Sequence, residues 1–201
     1  MDKPDSKTRR KILEAALKRF AECGYAGTSV QDIVDGARVT KPVLYYYFTS
    51  KAGLYQALID WAHDERFRLM QEAARRTASL PGQLVEILLA LFEFLNEHRE
   101  LMRIAFATAF AARGEIPPDV SYLKKCQRNV EFIHGLIKRG ISTGELDKSF
   151  GSEQLTMALY GMMNVHVMAH LVEERPRLTR RTAQEIVRLY LEGAGRKKRV
   201  F

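Results

Sequence analysis

Apolar positions recur along most of this chain at steps of three and four residues, the period of a helix with one buried face. In "TRRKILEAALKRFAECG" they are Ile12, Leu13, Ala16, Leu17 and Phe20, and Gly24 supplies a stop. "SVQDIVDGA" predicts a short helix over 29–36, with Ser29 as N-cap and Asp32 three residues on, close to a capping box. After "ARVT", Thr40 can cap a second short helix to Phe48, and Pro42 falls in its first turn, where a missing N–H costs nothing. A long helix is predicted from Ser50 to about Ser79, carrying Leu54, Leu58, Trp61 and Leu69 and closed by Pro81-Gly82. "LVEILLALFEFLNEH" is apolar on almost every side and predicts a central, buried helix. "ELMRIAFATAFAARG" predicts the next, stopped by "GEIPPD", and Asp119 to about Arg139 another, stopped by "RGISTGEL". The last two run from Ser152 to Glu174 and from Thr179 to Gly193, with "RPRLT" between them. No stretch alternates as a strand does, and no repeat is present. The pattern predicts an all-α protein of about nine helices.

Two short helices across a tight turn form a helix-turn-helix, whose second helix enters a DNA major groove N-terminus first. The residues presented there would be Thr40, Lys41, Pro42, Val43 and Tyr45, all within "VTKPVLYYYFTSK". Lys41 can donate to guanine O6 and N7 or to a phosphate, and Pro42 and Val43 can pack on a thymine methyl. Tyrosine hydroxyls donate to phosphate oxygens without adding charge. At 100° per residue Leu44 and Phe48 share the inward face, while Tyr45, Tyr46 and Tyr47 fan around the rest. At least two of the three must leave the core. An aromatic cluster that only pins the small domain accounts for Phe48 and one tyrosine.

Composition narrows the class. The 201 residues hold one or two domains, and 46% hydrophobic with 28% charged residues describes an ordinary soluble globular chain. No apolar run is expected to reach the ~20 residues of a membrane span. "MDKPDSKTRRK" lacks the apolar stretch of a signal peptide, so a cytoplasmic protein without a membrane partner is expected. Cys23 and Cys126 make no disulfide framework and read as core thiols in a reducing compartment. The net charge of +8 favours a polyanionic partner. With no nucleophile elbow, P-loop, dinucleotide fingerprint or zinc-protease motif, the sequence opposes an enzyme and calls for no cofactor. His166 and His170 stand four apart, a spacing that can place two imidazoles on one metal, but no third ligand is evident. They read as buried-edge or dimer-contact histidines. The terminal "RKKRVF" reads as a frayed basic tail.

"GYAGTSVQDIVDGARVTKPVLYYYFTSKAGLYQAL" resembles the N-terminal DNA-binding domain of the tetracycline-repressor (TetR) family of bacterial regulators. Phe20, Gly24, Tyr25, Thr28-Ser29, Ile33, Val39-Thr40, Leu44-Tyr45, Tyr47-Phe48, Ser50-Lys51 and Leu54 carry the resemblance, which covers about the first sixty residues. Beyond them only the helix count and the "RGISTGEL" turn agree. The resemblance implies a three-helix helix-turn-helix DNA-binding domain over 1–50 and a helical ligand-binding and dimerisation domain over 51–201. It implies that Thr28, Ser29, Tyr47 and Lys51 hold phosphates, and that Lys41, Val43 and Tyr45 face bases. Two residues depart from the family pattern. Arg38 stands where glycine is usual in the turn, and a left-handed backbone there costs a non-glycine roughly 1–2 kcal/mol. Gly36 offers the turn another way to relax, and Arg38 can either reach a phosphate or stay solvated. Gly53 replaces a usual glutamate, leaving the Ser50 cap without its reciprocal partner.

In "LTMALYGMMNVHVMAHL" the residues Ala158, Met162, Val165, Ala169 and Val172 form one stripe, and Ala183, Ile186, Val187, Tyr190 and Ala194 form another on the last helix. In the family these two helices pair with those of a second copy as a four-helix bundle, which implies a homodimer on a quasi-palindromic double-stranded operator. Packing within one chain is the other reading. Met157, Tyr160, Gly161, Asn164 and Met168, with Phe92, Leu95, Met102, Phe106, Phe110, Tyr122 and Phe132, are expected from the family and this composition to line an apolar cavity. Such a lining suits a hydrophobic or aromatic small molecule. Each of these residues also fits plain core filling. The expected function is a dimeric transcription repressor released from DNA by such a molecule. The alternative is a DNA-binding regulator without a small-molecule site, controlled by a protein partner or acting as an activator.

Overall fold

A computed structural model describes residues 7–112, 114–173 and 177–193. Among them are α1 (Lys7–Cys23), α2 (Val30–Ala37), α3 (Lys41–Tyr47), α4 (Lys51–Ala74), α5 (Leu80–Glu97), α6 (Arg99–Phe110), α7 (Leu123–Thr143), α8 (Ser152–Val172) and α9 (Arg180–Glu192). No strand occurs among the described residues. The all-α expectation holds, with shifted boundaries. α4 ends at Ala74, and Pro81 and Gly82 lie inside the first turn of α5 instead of closing α4. A proline gives up no hydrogen bond in a first turn, so it starts a helix as readily as it follows one. Ala194 and "RKKRVF" lie outside the described residues.

The chain forms two compact units, Met1–Glu65 with His98–Cys126, and Arg66–Glu97 with Gln127–Phe201. In the first, α1 packs on α2, α3 and α6. Its core joins Ile12, Ala16 and Phe20 to Ile33, Leu44, Phe48, Leu54 and Leu101, all buried. Arg103 of α6 donates to the Ala21 carbonyl at 2.7 Å, and Tyr55 of α4 bonds the Thr108 hydroxyl at 2.8 Å. Gly27 is required by close approach, because a Cβ there would stand 2.4 Å from the Cys23 carbonyl oxygen.

The second unit is built around α5, which packs against α8 and α9 and buries Leu84, Ile87, Leu88, Leu91, Phe92 and Leu95. The "RGISTGEL" segment docks on its N-terminus. α7 runs through Gly140, whose missing side chain leaves room for Leu80 (a Cβ would stand 2.4 Å from its methyl), and Gly144 at φ 79° turns the chain. Glu145 then accepts from the Leu80 N–H at 2.8 Å, satisfying one of the free amides that begin a helix. Arg180 at 2.6 Å and Arg76 at 3.3 Å flank Glu86, and the hydrogen bond from Arg180 leads in holding that carboxyl below its ordinary range.

α8 corrects an expectation. By length and composition it is apolar enough to cross a membrane. A core helix meets the same measure, and α8 packs on α5 and α9 with Leu159, Met163, Val167 and Leu171 buried. The last helix carries a second correction. Ala183, Ile186 and Val187, expected in a dimer interface, are buried within their own unit. Its exposed face holds Arg181, Gln184, Glu185, Arg188 and Leu189. Tyr190 is half-buried, and its hydroxyl is buried without a hydrogen-bond partner among the described residues.

That hydroxyl generates a test. Burial pushes the Tyr190 phenol up to about 12, so the stability it contributes is present below the unfolded value of ~10 and is lost as pH rises through the folded one. Tyr190→Phe removes an unpaired buried group and should leave stability at neutral pH equal or higher by up to about 1 kcal/mol. It should also flatten the loss of stability between pH 10 and 12. Urea unfolding across that range reads both effects.

Candidate nucleic-acid interface

The helix-turn-helix is assembled by backbone chemistry around two caps. Ser29 caps α2: its hydroxyl accepts from the Asp32 N–H at 3.1 Å, while Asp32 accepts from the Ser29 N–H at 2.9 Å. The Asp32 carboxyl is held below its ordinary range, first by the hydrogen bond from the Ser29 hydroxyl, then by its N–H, with Arg19 adding to both. At the other end α2 closes with two interlocked bonds, Arg38 N–H to Asp35 at 3.2 Å and Val39 N–H to Val34 at 3.0 Å. This closure needs a left-handed residue, and Arg38 supplies it at φ 55°, ψ 49°. Gly36 stays inside α2 and does not relax the turn. The strain of roughly 1–2 kcal/mol is therefore present at Arg38, and its side chain is exposed.

Thr40 starts α3 in extended conformation, but its hydroxyl makes no capping bond, contrary to expectation. Leu44 and Phe48 are buried, and the Arg9 guanidinium lies 5.2 Å over the Phe48 ring. Tyr45 is 48% exposed and Tyr46 63%, while Tyr47 is half-buried with Tyr46 edge-on at 5.0 Å. Thr40, Lys41 and Pro42 are exposed and Val43 is half-buried. One edge of α3 thus presents hydroxyls, an ammonium and rings to solvent, held by an apolar opposite edge.

The side chains of Thr28 and Lys51, expected to hold phosphates, are engaged elsewhere. Thr28 is buried, and its hydroxyl donates to the carbonyls of Gly24 at 2.7 Å and Arg19 at 3.1 Å. The Lys51 ammonium donates to the carbonyls of Tyr25 at 2.8 Å and Thr28 at 2.7 Å and sits 4.2 Å over the Tyr25 ring. Burial holds the Lys51 pKa below its ordinary value. These bonds fix the start of α4 to the turn that leads into α2. Ser50 does cap α4, accepting from the Gly53 N–H at 3.0 Å. The sequence reading anticipated the Ser29–Asp32 cap from its spacing and missed the roles of Arg19 and the Phe20–Tyr25–Tyr55 ring cluster.

The expected ligand residues are divided between the two units. Met102, Phe106, Phe110 and Tyr122 belong to the first unit, and Phe92, Leu95, Phe132, Met157, Tyr160, Gly161, Asn164 and Met168 to the second. Phe92 and Met102 are buried core, and Phe110 (78%) and Met157 (67%) are exposed, as are Gly161 and Met168. Phe106, Tyr122, Phe132 and Asn164 are half-buried, and Phe132 meets Phe67 edge-on at 5.9 Å. The second unit holds an apolar gap of about 10 Å³ between α5, α7 and α8, lined by Leu88, Ile133, Leu159, Tyr160 and Met163 among others. That is space for about one water.

On α8, Ala158, Val165 and Val172 are exposed and Met162 and Ala169 half-buried, continuous with Met157, Gly161 and Met168. Among the described residues they form one apolar face without a partner inside the unit. His166 is exposed beside the Met162 carbonyl at 2.8 Å whereas His170 is buried, so the two imidazoles occupy different surroundings. Cys23 is exposed, not core, and Cys126 is half-buried with its sulfur 3.8 Å from His63.

The sequence profile described as bacterial regulatory proteins, tetR family, matches residues 12–58. The transcriptional repressor KstR2 of Mycobacterium tuberculosis is 30% identical over 144 residues, 69% of this chain and 71% of that one. The transcriptional activator FasR of Mycolicibacterium smegmatis is 29% identical over 117 residues, 58% of this chain and 53% of that one. The chain spans about half or less of three such relatives' own length, FasR among them. Among solved structures, the regulator FadR of Bacillus subtilis in complex with stearoyl-CoA shares the fold, with a TM-score of 0.77 and 19% identity, covering 92% of this chain and 99% of that one.

The Lys51 clamp has a measurable consequence. Lys51→Met leaves two carbonyls without their donor and should lower unfolding free energy by about 1–3 kcal/mol. Lys41→Ala, on the exposed edge, should stay within about 0.5 kcal/mol of the parent. Equal unfolding curves for the two variants would remove the clamp.

Proposed function

Since the chain belongs to the tetR family of bacterial regulatory proteins, we propose that it is a homodimeric transcription repressor that binds a quasi-palindromic DNA operator and is released by a hydrophobic small molecule. The exposed edge of α3 carries this reading: Thr40, Lys41, Pro42 and Tyr45 face solvent while Leu44 and Phe48 lock the helix from behind. Lys41, Val43 and Tyr45 are the base-facing candidates; Ser29, Arg38, Tyr46 and Tyr47 lie around them as phosphate contacts. The free side chain of Arg38 gives its strained backbone a use, since a guanidinium pairs bidentately with phosphate. Thr28 and Lys51 act behind this surface, as positioning residues.

Reading a two-fold operator requires two recognition helices about 34–36 Å apart. The apolar face of α8, from Met157 through Val165 to Val172, is the surface proposed to join two copies. The repressor sign follows KstR2; FasR, an activator, keeps the opposite sign in play. One observation favours the second reading, a regulator without a small-molecule site: the gap of about 10 Å³ in the second unit is too small for an effector as it stands. Melting-temperature shifts on addition of apolar small molecules decide between the two.

Four substitutions test the reading. Lys41→Ala and Val43→Ala should relax preference at one or two operator positions, by about 1–3 kcal/mol each. Arg38→Gly should weaken binding evenly across sequences and shallow its salt dependence by about one unit. Binding to a randomised operator library at several salt concentrations separates the patterns; identical profiles for Lys41 and Arg38 variants would end the division into base readers and phosphate contacts. Val165→Glu places a charge on a residue 66% exposed in the single chain, so the protomer should fold and sediment as a monomer. A folded Val165→Glu dimer would move the interface off α8.

A further inference from the structure

The first unit contains a cleft of about 340 Å³ that DNA reading leaves unused. Phe20 of α1, Tyr25 of the following turn, Tyr55 of α4, Ala107 of α6 and Glu115 with Ile116 beyond α6 contribute to its walls. The rings of this side pack on one another: Phe20 and Tyr25 each meet Tyr55 edge-on at 5.3 Å, and the Tyr55 hydroxyl is engaged by Thr108. Phe20 and Tyr55 are themselves buried, and Tyr25, half-buried, is the ring with surface open to the cleft. Glu115 is the charged residue in the lining, exposed, with its carboxylate oriented by the Ala112 N–H at 2.9 Å. No lysine, arginine or histidine lines the cleft among the described residues, in a chain of net charge +8. A concave apolar surface with one convergent polar group binds ligands by burying hydrocarbon and orienting one functional group. The sign of that group is set by the carboxylate.

We propose that this cleft binds an organic monocation with an apolar or aromatic body, its ammonium against Glu115 and its hydrocarbon against Tyr25, Ala107 and Ile116. The site has a direct mechanical link to the helix-turn-helix. Gly24 and Tyr25, which wall the cleft, supply the carbonyls that Thr28 and Lys51 bind, at 2.7 and 2.8 Å. A ligand that displaces Tyr25 draws on the bonds that hold the start of α4 to the turn before α2. Cation binding and DNA binding then oppose each other by the same factor in both directions; this coupling rests on the DNA-binding reading, while the site itself does not.

Calorimetry on the full chain with three matched probes tests the site: 3-phenylpropyltrimethylammonium, 3-phenylpropanol and 3-phenylpropanoate. The cation should bind at least tenfold more tightly than the alcohol, and the carboxylate more weakly than either. Glu115→Gln should bring the cation to the level of the alcohol, a loss that a merely structural role of Glu115 would not confine to one probe. Ala107→Trp, at an exposed position, fills the cleft and should abolish binding of the cation in a chain whose helical circular dichroism is unchanged. Equal affinity for cation and carboxylate, no binding of any probe, or full cation binding by folded Ala107→Trp overturns the proposal. With an operator fragment selected from a random library, saturating cation should weaken DNA binding at least fivefold; unchanged affinity overturns the coupling. A chain that selects no DNA fragment sinks the DNA-binding reading and leaves the calorimetry to judge the cleft alone.

Discussion

The Lys51 ammonium, bonded to the carbonyls of Tyr25 and Thr28, is the contact on which the helix-turn-helix unit depends. A turn that leads from one helix into the next leaves carbonyls without intrahelical partners, and a buried carbonyl without a donor is costly. Lys51 answers two of them from the first residue of α4, just past α3. Thr28 answers Gly24 and Arg19 from within the turn, and Ser29 with Asp32 answers the first amides of α2. These bonds hold the short helices α2 and α3, too short to be stable alone, at fixed angles to α1 and α4. Exposed side chains on α3 can then act as a rigid set.

Strain sits where this arrangement meets solvent. Arg38 takes the left-handed conformation that closes α2, a place where glycine would be free of cost. Its side chain is exposed beside the edge of α3, so a residue that weakens the turn also adds a cation to the surface proposed for DNA. Behind that surface, the cleft beside Phe20, Tyr25 and Tyr55 adjoins the same carbonyls that the clamp uses.

The second unit solves a different problem. α5 is apolar almost all round and needs partners on several sides, which α8, α9 and the "RGISTGEL" turn supply. α9 spends its apolar stripe on that task. α8 has apolar surface left over, and Met157, Val165 and Val172 face solvent in the single chain. An exposed apolar face of that kind marks an interaction surface.

Helix number, the helix-turn-helix and the inward pair Leu44 and Phe48 were legible from the sequence, because each is set by local periodicity, capping and chain stereochemistry. The same local rules put Ser29 and Asp32 in one cap and raised the question of Arg38. Which of two apolar stripes turns inward was not legible. Ala183, Ile186 and Val187 carry the same pattern as Ala158, Val165 and Val172, and only the position of α5 makes one set core and the other surface. Phe92, Phe110 and Met157 look alike as cavity lining in sequence, yet Phe92 is buried and the other two are exposed. Thr28 and Lys51 read as phosphate contacts until the path of the chain brings their polar groups to backbone carbonyls. A periodic pattern states how many faces a helix must bury; which neighbour covers each face is decided by contacts distant in sequence, and those exist only once the chain has folded.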